Sequence, residues 1–322
     1  MRTYVLRRLL QIVPLLLGIS ALTFALLQMA PGDFLDTMAD NPAISPAALD
    51  AMRVRFGLDR PWWEQYLLYL RNIFLHLDFG TSFSRQQPVF EVLRTGLGNT
   101  LLLASAAAIV TWGLAVPLGV LAAVRQHGWA DRSLSFLAVL WLAVPEVLSG
   151  LLLLWMASAT GWFPVGGMHG LDADLMGAGE RLLDLLHHLA LPALVVGLIP
   201  LASRMRQMRA SLLDQLRLDY VTTARAKGLP ESAVIGRHAL RNALNPLITL
   251  FGFTLGSLVS GAFVAETIFS WPGLGSLTLE AIQTQDQYLV MGAVLMASTV
   301  LILGNLIADL LLAIADPRIR HE

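Results

Sequence analysis

The chain has 322 residues, 56% of them hydrophobic and 14% charged, with a formal net charge of -1 and a mean hydropathy of +0.63. Apolar runs of about 20 residues, enough to cross a ~30 Å hydrocarbon layer, place it among membrane proteins and exclude a soluble domain of any size. The near-neutral charge implies no nucleic-acid partner, and the absence of cysteine removes disulfides, thiolate metal sites and thiol catalysis.

At the N-terminus, MRTYVLRRLLQIVPLLLGISALTFALLQMAPGD sets Arg2, Arg7 and Arg8 ahead of an apolar stretch from Leu9 to Met29. That stretch outruns a secretory h-region of about 7–15 residues and no A-x-A-like site follows, so it reads as an uncleaved first span. Six spans are expected in all, over 9–29, 100–124, 134–158, 185–205, 246–268 and 288–314, within one all-α polytopic domain covering 1–322. The fourth is the least clear, because its run LALPALVVGLIPLA is short and holds Pro192 and Pro200. With Pro14, Pro117 and Pro145, these prolines predict bent helices whose freed carbonyls are satisfied by neighbours.

Arginine and lysine counts in short loops give the orientation. The N-terminus holds three, the 125–133 loop two (Arg125, Arg132), the segment from Arg204 to Arg241 eight, and the tail two (Arg318, Arg320), fifteen on one side. The opposite side has Arg181 in the 159–184 loop and none in 269–287. Both termini and the basic segment are therefore expected in the cytoplasm. The long first loop, 30–99, is external; it carries six arginines and eight acids, and loops of that length cross regardless of charge. Within it, Ser45 caps a helix opened by Pro46 and closed by Gly57, and Asp59, Arg60 and Pro61 open a second. Trp63, Tyr66, Leu67, Leu70 and Phe74 recur there at helical spacing. That spacing fits both a helix in the headgroup layer and one packed on the outer span ends.

The basic segment, about 206–245, contains the only lysine, Lys227. Neither glycine nor proline falls between Ser203 and Lys227, and Met205, Met208, Leu212, Leu216 and Tyr220 keep a helical period. The fourth span is thus expected to continue as a helix beyond the membrane. Gly228 suits a left-handed C′ position, Pro230 starts a second helix, and Glu231 sits in its first turn. Three readings of this helix–turn–helix compete. Its arginines face anionic lipid; or it reads DNA, which the short distance to the next span disfavours; or it docks in a groove on a soluble partner. In the docking reading Ala224, Ala226 and Gly228 give small contact surfaces, Arg225 and Lys227 form the rim, and a valine at 228 would crowd the turn.

The stretch DYVTTARAKGL resembles the Glu-Ala-Ala-x-x-x-Gly coupling motif of ABC importer membrane subunits, in the form found in the dipeptide/oligopeptide/nickel permease family. RRLLQIVPLLLGISALTFALLQMAPGD, FGLDRPWWEQYLLYL, ETIFSWPGLGSLTLEAI and ADPRIR resemble that family's B-type subunit, so the similarity covers the whole chain. Thr222 stands at the motif's glutamate and Thr223 at its first alanine, while Ala224 and Gly228 match. The resemblance implies a type I importer-like permease fold. It also implies docking of Asp219, Tyr220, Thr222, Thr223, Ala224, Arg225, Ala226, Lys227, Gly228, Leu229 and Pro230 on an ATPase. Implied partners are a C-type permease, two ATP-binding subunits using ATP and Mg, and an extracytoplasmic solute-binding protein, all in a bacterial inner membrane. The chain has no G-x-x-x-x-G-K-[ST] loop, so no cofactor and no catalysis are expected in it. Peptides are the expected cargo; nickel chelates, glutathione or other small solutes are the alternative within the family. An ion-driven secondary transporter is the alternative outside it.

Intramembrane acids suggest function by default. Glu146, beside Pro145, lines a pathway or accepts bonds from the backbone next to that proline; the second is favoured. Glu266 precedes the turn Trp271, Pro272, Gly273, Leu274, Gly275, a family feature, and is expected to hold that outer re-entry, with pathway or gate lining as the lesser reading. Asp309 is expected to pair with an arginine at the cytoplasmic end. No histidine reaches mid-span, so Ser149, Ser257 and Ser260 lack a base for nucleophilic chemistry, and His187 and His188 point about 100° apart, unsuited to a shared metal. Small residues at Gly256, Ser257, Ser260 and Gly261, and at Gly292, Ala293, Ala297 and Ser298, allow close helix approach and pack this subunit against its companion or line the pore.

Overall fold

In the computed structural model, residues 2–30, 32, 34–39 and 45–315 are described. The chain is helical: α1 (Arg2–Met29), α2 (Phe34–Ala39), α3 (Pro46–Phe56), α4 (Trp62–His76), α5 (Val89–Val124), α6 (Trp129–Ala143), α7 (Glu146–Thr160), α8 (Ala178–Leu216), α9 (Asp219–Ala226), α10 (Glu231–Ala233), α11 (Leu240–Ala243), α12 (Asn245–Ile268), α13 (Leu274–Gln283) and α14 (Gln287–Ala315). A π-helical turn, Val234–Ala239, joins α10 to α11. Among the described residues, four stretches beginning at Leu10, Val89, Ala178 and Gln287 are long and apolar enough to cross a membrane, and the bent pair α6–α7 makes a fifth. The chain packs as two compact units, residues 1–100 with 272–302, and residues 101–271 with 303–322.

In the first unit Ser45 accepts a hydrogen bond from Ala48 N, Pro46 opens α3, and Gly57 ends it in the left-handed conformation, as the capping pattern requires. One face of α4 packs on α1: the Tyr66 ring lies tilted against Phe24, with ring centroids 5.4 Å apart, and its hydroxyl meets Ser20 and the Leu17 carbonyl. The other face leaves Trp62, Trp63, Leu67 and Phe74 exposed. Fully buried Asp286 accepts from the Ser82 and Ser84 hydroxyls, from Ser84 N and from Leu289 N in the first turn of α14. One carboxylate thus ties the 82–84 turn to a helix start. Gly292 is covered within the chain, since a Cβ there would lie 2.7 Å from Val89 and 2.8 Å from Leu93; Ala293 is buried beside it. This small face packs intramolecularly rather than awaiting a partner. Gly256, Ser257, Ser260 and Asp309 lie outside the described side chains.

In the second unit α8 is the centre. Leu189, Leu191, Val195 and Val196 pack with Leu103, Ala104 and Ala107 of α5, Ala157 of α7, and Ala262 and Ala265 of α12. Lipid is as apolar as leucine, so such helices associate through close van der Waals contact at small residues. Gly197 lets α5 approach, a Cβ there meeting Ala107 O and Thr111 Oγ1 at 3.1 Å, and Thr111 donates to the Gly197 carbonyl at 3.0 Å. Gly150 similarly admits Ile268. A polar clasp adds to this: the Arg209 fork donates to both oxygens of buried Asp131, at 2.5 and 2.7 Å, joining α8 to α6.

Two expectations change. The single helix expected over 134–158 is two helices meeting at 106°, because Val144 precedes a proline, takes an extended conformation (φ -85, ψ 122), and cannot carry the helix through Pro145. The helix expected to run unbroken to Lys227 stops at Leu216; Leu218 is extended (ψ 152) and α9 restarts at Asp219. The break turns Val221 and Ala224 back onto Met208 and Leu212 of α8, burying apolar surface that a straight helix would carry away.

At Gly119 of α5 the helices approach too closely for any side chain: a Cβ would lie 2.6 Å from Met208 Cβ and 2.7 Å from the Met205 carbonyl. A helix backbone cannot yield locally, so Gly119→Ala is expected to force α5 from α8 and destabilise the chain by about 1–3 kcal/mol, read as a lower thermal unfolding midpoint of the detergent-purified protein. An unchanged midpoint would contradict this packing.

Candidate functional site

The residues of the basic segment form a small two-faced helix at the end of α8. Inward, Val221 and Ala224, three residues apart, are buried with Met208, Leu212, Val234 and Ala239. Tyr220 is half-buried, and its hydroxyl donates to Gln215 Oε1 at 2.8 Å, bracing α9 against the end of α8. Outward, Asp219, Thr222, Thr223, Arg225, Ala226, Lys227, Gly228, Leu229 and Pro230 are exposed. Ala224 is therefore not part of the outer surface expected of it: its small side chain lets α9 lie close to its own α8. Val221, fully buried, is the anchor that sequence reading passed over, although its three-residue spacing from Ala224 carried the signal.

The helix ends as its sequence requires. Gly228 has φ +75, its N–H bonds the Arg225 carbonyl, and Leu229 N reaches back to the Ala224 carbonyl, the paired closure of a left-handed C-terminus. A Cβ at 228 would meet nothing within 4 Å. The expected crowding of a valine there is absent; the obstacle is the backbone angle. Arg225 then reaches across the turn to Glu231, Nη2 to Oε1 at 2.6 Å and Nε to Oε2 at 3.1 Å. That hydrogen bond holds the Glu231 carboxyl below the usual glutamate range and the Arg225 guanidinium above its own. The pair is exposed, so it orders the turn more than it stabilises the fold.

Beyond the turn, the chain returns through α10, the π turn and α11. Pro246 has no N–H, and Leu247 N bonds the Leu244 carbonyl rather than that of Ala243. The Ala243 carbonyl is satisfied from α8 by the Ser211 hydroxyl at 2.8 Å, wholly buried. The helix–turn–helix is thus fastened to α8 on both sides of the turn.

The other singled-out residues divide. Trp271 is fully buried with Phe269 in the core around α8, and its N–H bonds the carbonyl of buried Glu266 at 2.9 Å. Pro272 and Gly273 sit against α5, where Asn99 donates to the Pro272 carbonyl at 2.8 Å, the Leu274 N–H donates to Thr100 Oγ1 at 2.7 Å, and a Cβ on Gly96 would collide with Leu277. Glu146 stands in the first turn of α7 at the bend. The hydrogen bonds expected from the backbone beside Pro145 are not made, and its Oε1 is buried without a partner. His169 and His188 both face Asp184, at 3.0 and 3.2 Å, and His187 meets the Trp162 carbonyl. Among the described residues no group of three metal-ligating side chains converges.

Comparison with known proteins agrees with this architecture. Residues 115–321 match the family described as "Binding-protein-dependent transport system inner membrane component", and residues 1–104 match "Binding-prot-dependent transport system membrane comp, N-term". The chain is 40% identical over 323 residues to the oligopeptide transport system permease protein AppB of Bacillus subtilis, and 38% identical over 340 residues to the dipeptide transport system permease protein DppB of Escherichia coli K12, covering 100% of both chains in each case. Its fold is similar to that of a MetNI methionine ABC transporter chain solved in inward-facing form, with a TM-score of 0.51, 18% identity, and coverage of 69% of this chain and 97% of that one. Permeases of this kind cross the membrane several times and work with an ATPase and a solute-binding protein, performing no catalysis themselves. With its type I importer-like helical fold, the chain belongs to the binding-protein-dependent transport system inner membrane component family.

Proposed function

We propose that the chain forms one half of the transmembrane pathway of an ATP-driven importer of di- and oligopeptides, coupled through residues 219–230 to ATPases made as separate polypeptides. The observation that carries this reading is the two-faced α9: its inner face is locked to α8 by Val221 and Ala224, and its outer face is exposed from Thr222 to Pro230. A partner gripping the outer face moves α9 and α8 together. The peptide cargo is supported by the relatives named as oligopeptide and dipeptide permeases.

In this assembly the companion is a C-type permease, two ATP-binding subunits hold ATP and Mg, and an extracytoplasmic solute-binding protein docks on the outer loops, principally 30–99. The charge bias puts both termini and α9 in the cytoplasm. ATP binding supplies the differential affinity between outward-open and inward-open states. Glu266, Trp271, Pro272 and Gly273 anchor the outer turn. Glu146, with its unpartnered buried oxygen at the α6–α7 bend, is the residue we assign to the pathway.

Two outcomes test this. Gly228→Val forces a β-branched residue into a left-handed conformation, at a cost of roughly 1–2 kcal/mol or more. ATP-driven peptide uptake by proteoliposomes of the whole complex should fall about tenfold or further, while the permease still inserts; wild-type uptake, or import by the permease alone under an ion gradient, would sink the proposal. Separately, the depressed Glu231 carboxyl means the Arg225 strap is complete above about pH 4.3 and is lost as pH falls through the lower folded value. Amide hydrogen-exchange protection across 225–234, corrected for the intrinsic rate at each pH, should therefore fall in Glu231→Gln at neutral pH, and in the unmodified chain only at acid pH; identical protection in both at pH 7 would exclude the strap.

A further inference from the structure

We propose that the groove between α6 and α8 binds the phosphodiester headgroup of an anionic phospholipid in the inner leaflet, an inference that rests on the cytoplasmic placement of the α8 end proposed above. Ser203, Arg206 and Gln207 recur at three- and four-residue spacing on one face of α8, opposite Ser135 and Leu142, two turns apart on α6, and together they bound a groove of about 400 Å³. The Ser203 hydroxyl, the Arg206 guanidinium and the Gln207 amide have no hydrogen-bond or ion-pair partner among the described residues.

The carboxylate beside the groove cannot serve them. Both Asp131 oxygens are taken by the Arg209 fork, and they also accept from the Ser135 hydroxyl at 3.3 Å and from His127 N at 2.9 Å. The groove is left with one uncompensated positive charge and, among the described residues, no carboxylate free to balance it. A guanidinium matches the geometry of phosphate oxygens, and basic pockets between helices at the cytoplasmic surface are where phosphate headgroups bind.

Two observations favour a lipid over a free anion. The apolar run of α8 ends at Ala202, so Ser203 begins at the depth where hydrocarbon gives way to headgroups. The adjoining surface of α6 exposes Phe136, Val139 and Leu140, with Trp129 almost bare at its start. Acyl chains would cover that surface and an inorganic ion would not; exposed tryptophan is itself typical of this interface.

The test is native mass spectrometry of the whole importer complex in mild detergent, offered phosphatidylglycerol or phosphatidylcholine of equal chain length. Preferential retention of phosphatidylglycerol, reduced roughly fivefold by Arg206→Gln and unchanged by Arg237→Gln, is the expected result. Equal retention of both lipids, no effect of Arg206→Gln, full displacement by glycerol phosphate alone, or rescue of Arg206→Glu by a charge reversal in the companion permease would each overturn it. The last would show a protein carboxylate in the groove. Because the chain has no cysteine, labelling of Arg237→Cys in sealed vesicles reports the side independently. Inside labelling without lipid preference would remove the lipid site alone; outside labelling would remove the orientation beneath it.

Discussion

The continuity of one backbone ladder underlies most of what this chain does. In hydrocarbon every N–H and C=O must be satisfied within the protein, and α8 meets that demand over 39 residues from Ala178 to Leu216, a length of about 58 Å at 1.5 Å per residue. It therefore outlasts the hydrocarbon and delivers its end to the water. Pro192 and Pro200 fall within it and remove the N–H groups that would bond the His188 and Val196 carbonyls; beside the second of these, buried Thr111 of α5 adds a donor to the Gly197 carbonyl. Helices α5, α6, α7 and α12 are all built around this rod, held by close approach at glycines rather than by expulsion of water.

A rod transmits movement only if something grips its end, and the turn after Leu216 provides that grip. The extended Leu218 lets α9 fold back, so Val221 and Ala224 fasten to the helix they follow. The left-handed Gly228 and the Arg225–Glu231 bridge then fix how the outer face is presented. On the return strand of the turn, the bond from Ser211 to the carbonyl freed near Pro246 ties α11 to the same rod. The coupling proposed here is mechanical, and each of these contacts shortens the slack between a pull on α9 and a displacement of α8.

Charge is used sparingly and in closed sets. Asp131 is saturated by Arg209, Ser135 and a backbone N–H; Asp286 by two serines and two backbone N–H groups. Such saturation is what burial of a carboxylate demands. Other groups stay open: Glu146 keeps an orphan oxygen at the α6–α7 bend and Arg204 a buried Nε without a partner, while exposed Arg206 has no acceptor among the described residues. The passing substrate is assigned to Glu146 and the lipid headgroup to Arg206.

By itself the sequence determined the membrane class, the helical fold, the charge bias, and the glycine and proline punctuation, because each depends on local properties: hydropathy over a span's length, the φ freedom of Gly228, the missing N–H of a proline. The N-cap at Ser45 and the left-handed Gly57 follow the same rule. Only the tertiary structure decided which side of a helix turns inward. Ala224 is small enough for either face, and its burial was settled by Met208 and Leu212 sixteen and twelve residues earlier. The break at Leu218 and the intramolecular cover over Gly292 were likewise set by neighbours distant in sequence, whereas the 106° bend follows locally from Pro145. Proline and glycine announce that a backbone is free to turn; the direction and the contact depend on what the rest of the chain places there.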